Sequence, residues 1–117
     1  MNDDLVWAIK NGDLDKVKEI IEGKGSDVNA TIDGRQPCHF AADYGQLDVL
    51  RYLISRGGNI EGKDKHGISV LLAAIWEGHT SCVKFLIEKG SSKSGCAPDG
   101  TSYLNAAEKD EIKVLLR

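Results

Sequence analysis

Glycine recurs in this chain at a fixed interval. Gly12, Gly45 and Gly78 stand 33 residues apart, as do Gly34, Gly67 and Gly100, and Gly57 with Gly90 forms a third series. Small and apolar residues keep the same step, Ala41 with Ala74 and Leu53 with Leu86. A period of this size constrains the fold more than any other feature, because it predicts stacked copies of one small unit. The clearest pair of copies runs from Asp33 to Gly57 and from Asp64 to Gly90.

Within one copy, Pro37 suits the first turn of a helix, where its missing N–H loses no hydrogen bond. Ala41 and Ala42 allow close packing, and Gly45 ends the helix in a conformation that a side chain resists. Leu47, Leu50, Leu53 and Ile54 then fall at helical spacing before Gly57 stops a second helix. Two helices of two to three turns are marginal alone, so each copy must bury its apolar face against the next. The first copy lacks the leading turn. Its helices are predicted over Leu5 to Asn11 and Leu14 to Glu22, with Val17, Ile20 and Ile21 inward and Asp13 as the cap of the second. Gly23 to Ser26 is one residue longer than the matching turn of the next copy. In the last copy, Ser102 is expected to cap a helix over Tyr103 to Glu108. About four residues are missing before the run Ile112 to Leu116.

The segment Gly34-Arg35-Gln36-Pro37-Cys38-His39-Phe40-Ala41-Ala42, followed by Gly45-Gln46, resembles the ankyrin repeat, and so does Gly67 to Ile75 followed by Gly78-His79. Gln36 stands where that pattern has a capping Thr, and Val70 and Leu72 stand where it has Pro and His. Ser69 still offers a capping oxygen; Gln36 is the poorer cap. The resemblance implies an all-α solenoid of about four helix-turn-helix repeats with short β-turn fingers. Its expected boundaries are 1–32, 33–65, 66–98 and 99–117, in one domain over 1–117. It also implies that His39 braces neighbouring turns by hydrogen bonds.

Composition narrows the function. A formal charge of −3 argues against general nucleic-acid binding. No apolar run approaches the roughly 20 residues needed to cross a bilayer. The start Met1-Asn2-Asp3-Asp4 lacks the basic and apolar regions of a secretory signal. Cys38, Cys82 and Cys96 are odd in number and follow no paired spacing, which suits a reducing compartment. A cytoplasmic protein is expected, with a nuclear role left open. Asn29-Ala30-Thr31 is then a chance sequon.

The residues hold little chemistry. His79 and Cys82 could share a helix face with a metal, but no second pair has ligand spacing. Cys38 beside His39 pairs a nucleophile with a base only on paper. Gly23-Lys24-Gly25 lies at a helix end and lacks the rest of a phosphate-loop signature. With no nucleophile, base and oxyanion donor brought together, a non-enzyme without metal or cofactor is expected.

Ankyrin proteins bind partners along a concave surface of turn tips and the two residues before the helix-ending glycine. The resemblance therefore points to Lys10-Asn11, Asp43-Tyr44 and Trp76-Glu77, with Asp33, Arg35, Lys65, His66 and Ile68 at the turn tips. Trp76 is the sharpest candidate, since an exposed aromatic rimmed by acids has the character of a binding hot spot. Ordinary surface packing is its alternative. Trp7, at the position of Phe40 and Ala73, suits core and amino-edge anchor equally. Asp33, Asp43 and Glu77 are expected to surround the aromatics with negative potential, favouring a basic patch on a partner. The stretches Trp7 to Lys18, Ala41 to Leu50, Asp64 to Ser69, Glu77 to Lys84 and Pro98 to Tyr103 are similar to a group of small single-domain ankyrin proteins. That likeness implies a monomeric inhibitor of the heterodimeric actin capping protein. An inhibitor of a cell-cycle kinase or of a Rel-type transcription factor is the alternative, and an enzyme using Cys38 or Cys82 a further one.

Overall fold

The computed structural model describes residues 2–117. Its elements alternate between an inner and an outer row. The inner helices are α1 (Asn2–Lys10), α3 (Pro37–Asp43), α5 (Val70–Trp76) and α7 (Tyr103–Ala106), and the outer ones are α2 (Leu14–Lys18), α4 (Leu47–Ser55), α6 (Thr80–Glu88) and α8 (Asp110–Leu116). Each inner helix packs on the next inner helix, and each outer helix on the next outer one. The result is an elongated stack of 40 × 24 × 21 Å. Among the described residues, β-structure is confined to isolated bridges at the turns, Ile32 with Arg35, Lys63 with Ser69 and Cys96 with Ser102.

The glycine period has a backbone cause. Gly12, Gly45 and Gly78 follow α1, α3 and α5 with φ of 70°, 67° and 71°, the left-handed region that other residues enter at a cost. The side chain after each of the last two, and its counterpart in the last repeat, reaches back one repeat. Gln46 Nε2 donates to the Lys10 carbonyl at 2.9 Å, His79 Nε2 pairs with the Asp43 carbonyl at 3.0 Å, and Lys109 Nζ donates to the Gly78 carbonyl at 2.8 Å. Carbonyls left without partners at helix ends are satisfied in this way. The contact also gives His79 a structural role in place of the metal role considered above.

The core runs continuously through the stack. Val17, Ile20, Ile21, Leu50 and Leu53 are buried as the spacing predicts, Val83 and Leu86 are buried in the next copy, and Leu47 and Ile54 are half-buried at the edge. Each large aliphatic side chain so removed from water contributes about 1.5–3 kcal/mol before the entropy of ordering it is subtracted. The expected caps form. Asp13 accepts from Lys16 N at 3.2 Å, Ser69 from Leu72 N at 3.0 Å, and Ser102 from Asn105 N at 3.1 Å.

The helix limits differ from the sequence expectation at both ends of the chain. α1 begins at Asn2 and ends at Lys10, α7 stops at Ala106 short of Glu108, and α8 begins two residues earlier than Ile112. The larger difference lies in the first repeat, where α2 continues not to Glu22 but into a π-helical turn over Glu19–Gly23. A single extra residue inserted in a helix widens the hydrogen-bond ring locally. The additional residue noted near Gly23 is thus absorbed inside the outer helix.

Candidate partner-binding face

The inner helices α1, α3 and α5 end at equivalent points, and these ends carry the aromatic side chains. Tyr44 and Trp76 are 45% and 48% exposed. Trp7 is 60% exposed and so is not core. Its counterpart Phe40 is buried because Lys10 and Arg35 lie over its ring at 5.7 and 4.9 Å. Among the described residues no cation lies over the Trp7 ring in this way. Lys10, one helical turn after Trp7, also lies 5.3 Å from the centre of the Tyr44 ring and joins the first repeat to the second.

Between the second and third repeats the turns and helix ends enclose a cleft of about 240 Å³. Six of the expected residues line it: Arg35, Asp43, His66, Ile68, Trp76 and Glu77. Arg35 crosses between repeats, with Nη1 at 3.4 Å from Asp43 and Nε at 4.0 Å from Asp64. The uniformly negative rim expected around Trp76 is therefore interrupted. Asp43 is partly neutralised, and Glu77 stays exposed beside the indole. Three carboxylates, those of Asp43, Asp64 and Glu77, still face one guanidinium here.

Asp64 also lines the cleft, although its sequence position did not single it out. Its side chain is 3% exposed, and Oδ1 accepts from His66 N at 2.8 Å and Ile68 N at 2.9 Å. An Asp three residues before a tip glycine is a signal for such a turn, but its pairing with Arg35 needs two repeats in register. The remaining expected residues lie outside the cleft. Asn11 Nδ2 donates to the Trp7 carbonyl at 2.8 Å and so finishes α1. Asp33 is an exposed tip with φ 53°, and Lys65 N donates to the Gly34 carbonyl at 2.9 Å. A Cβ on Gly34 would fall 2.3 Å from the Lys65 side chain, so the two turns touch only because that residue is glycine.

The cysteines and histidines are engaged structurally. Burial pushes the Cys38 thiol up to about 12 and the Cys82 thiol up to about 11, which disfavours the reactive thiolate. His39 is fully buried; Nδ1 accepts from Gln36 N at 3.1 Å, and Nε2 pairs with the Ile68 carbonyl at 3.0 Å. With both ring nitrogens occupied by backbone, it has none left to serve Cys38 as a base. The described residues contain no cluster of three or more His, Cys, Asp or Glu fit to hold a metal.

A stack of paired short helices with an open row of aromatic side chains at its inner helix ends defines a repeat-built protein-interaction module. The profile described as ankyrin repeats (3 copies) matches residues 5–95. Myotrophin of Xenopus tropicalis is 54% identical over 97% of this chain and 96% of its own, and myotrophin of Rattus norvegicus is 50% identical over 97% of each. The mouse ankyrin repeat and SAM domain-containing protein 6 is 30% identical over 96% of this chain but only 14% of its own length. The chain belongs to the ankyrin-repeat family and, within it, is myotrophin-like.

Proposed function

We propose that this chain binds the heterodimeric actin capping protein and inhibits it by covering the basic surface that holds the fast-growing filament end. The observation that carries this reading is the exposed set Trp7, Tyr44 and Trp76 beside the carboxylates of Asp43 and Glu77. It stands on a chain that is myotrophin-like over nearly its whole length. Rigid aromatic side chains give large contact area at small entropic cost, and the carboxylates speed encounter with a cationic partner. Inhibition is then occlusion, with Trp7, Asp43, Tyr44, Trp76 and Glu77 in contact and no covalent step.

Seeded actin elongation in the presence of capping protein tests this. Adding the chain restores filament growth, and the double variant Trp76→Ala, Asp43→Asn restores none while keeping its helical circular dichroism. Loss of a central aromatic anchor weakens such complexes by about 2 kcal/mol or more. Filaments that remain capped at saturating wild-type chain would remove the proposal. Undiminished rescue by the double variant would move the contact elsewhere.

A further inference from the structure

The outer helices carry a feature that the proposed inhibition does not use. Lys18, Arg51 and Lys84 stand 33 residues apart, each directly after a fully buried residue, Val17, Leu50 or Val83. One cation in each of the first three repeats therefore forms a row across the back of the stack. Two of them are held over aromatic rings of the following repeat, Lys18 over Tyr52 at 5.7 Å and Arg51 over Phe85 at 4.9 Å. None of the described ion pairs uses any of the three. Grooves of about 320 and 400 Å³ meet at Arg51 between α4 and α6.

We propose that this row docks an extended acidic segment of a second protein, laid across the outer helices along the length of the stack. Neighbouring packed helices lie about 8–10 Å apart, and a segment in the polyproline II conformation advances about 9 Å per three-residue turn, which brings every third side chain to the same face. An acidic side chain at every third position therefore meets one cation per repeat. The segment recognised would be roughly seven residues long. The outer row also exposes Asp15, Glu22, Asp48, Glu88, Asp110 and Glu111, with Glu22 bonded to the Tyr52 hydroxyl at 2.6 Å, and an anionic bilayer pressed on the whole face would have to meet them all. A single strand can follow the cations between them. The inner face proposed for capping protein stays free, so the two contacts are independent.

Backbone amide shifts in NMR, recorded on the full chain, test the proposal with a short labelled peptide bearing glutamate at every third residue. A second peptide has the same composition with its glutamates in one block. The expected result is saturable, salt-sensitive shifts on α4, α6 and their neighbours, with the spaced peptide bound more tightly. Arg51→Glu with Lys84→Glu should weaken it by about tenfold or more, since close charge pairs govern such contacts. Circular dichroism and thermal melting check folding. Lys84→Gln, at a residue not stacked on a ring in this structure, gives a milder second variant that should also weaken binding. Equal binding of both peptides, shifts away from the outer helices, or variants that bind as wild type would each overturn the proposal. So would binding to phosphatidylserine vesicles through these residues without binding of the peptide.

Discussion

The second and third repeats begin their inner helices at equivalent positions with different chemistry. In the second, the Gln36 side chain caps nothing, since its Oε1 is buried without a partner, and the imidazole of His39 ties down the Gln36 N–H and the Ile68 carbonyl. In the third, Ser69 caps Leu72 directly, and Leu72, at the place of His39, is wholly apolar and buried. The Tyr103 hydroxyl then reaches back from the last repeat to Ser69 at 2.7 Å. One backbone geometry is thus secured by a titratable ring in one unit and by a hydroxyl with aliphatic packing in the next. A repeat needs its helix start satisfied, and it does not need one particular side chain to do it.

The comparison can be broken at four strengths. Leu72→Ala removes the apolar half of the third repeat's solution and should cost about 2–5 kcal/mol in urea unfolding. His39→Leu imports that aliphatic side chain into the second repeat without its hydroxyl, leaving the Gln36 N–H unpartnered, while the Ile68 carbonyl keeps only its bond from Asp64 N. A loss of about 2 kcal/mol or more is expected, and adding Gln36→Ser should recover part of it. Recovery of nothing would show that the two starts are not interchangeable. Ser69→Ala should cost about 1 kcal/mol by the same measurement.

The smallest effect is one of pH. Burial, outweighing the Ile68 carbonyl and the nearby Asp64 carboxylate, holds the His39 imidazole below its ordinary 6.5. As pH falls past that value the unfolded chain takes up the proton before the folded one does. The stability that rests on the neutral ring is whole above about 6.5 and drains as pH drops toward the folded value. Thermal midpoints measured across that range should show this slope in the wild type and lose it in His39→Leu. An unchanged slope would assign the acid sensitivity to other groups.

Much of the fold could be read from residues whose role is local. The glycine interval fixed the register, and Asp13, Ser69 and Ser102 announced helix starts because a cap acts within three residues of itself. Contacts that depend on stacking were not legible. Nothing near Arg35 in sequence says that it will lie between Asp43 and Asp64, and Tyr103 gives no sign that it will reach Ser69. Trp7 suits core and edge alike in sequence, because exposure at its position depends on which side chains from other segments cover the ring, as Lys10 and Arg35 cover Phe40. The basic row on the outer helices was open to reading, since Lys18, Arg51 and Lys84 share the glycine interval. It passes unnoticed when charged residues on a helix face are taken only as solvation.

The widened turn at Glu19–Gly23 shows how such a chain accommodates changes in its own length. A residue gained there is stored as slack on the back of the first unit, and the units beyond it keep their phase. Removing one residue from that turn should leave an ordinary α-helix and an undisturbed stack. The outer helix is therefore a place where this chain can grow or shrink by a single codon without its inner face registering the event.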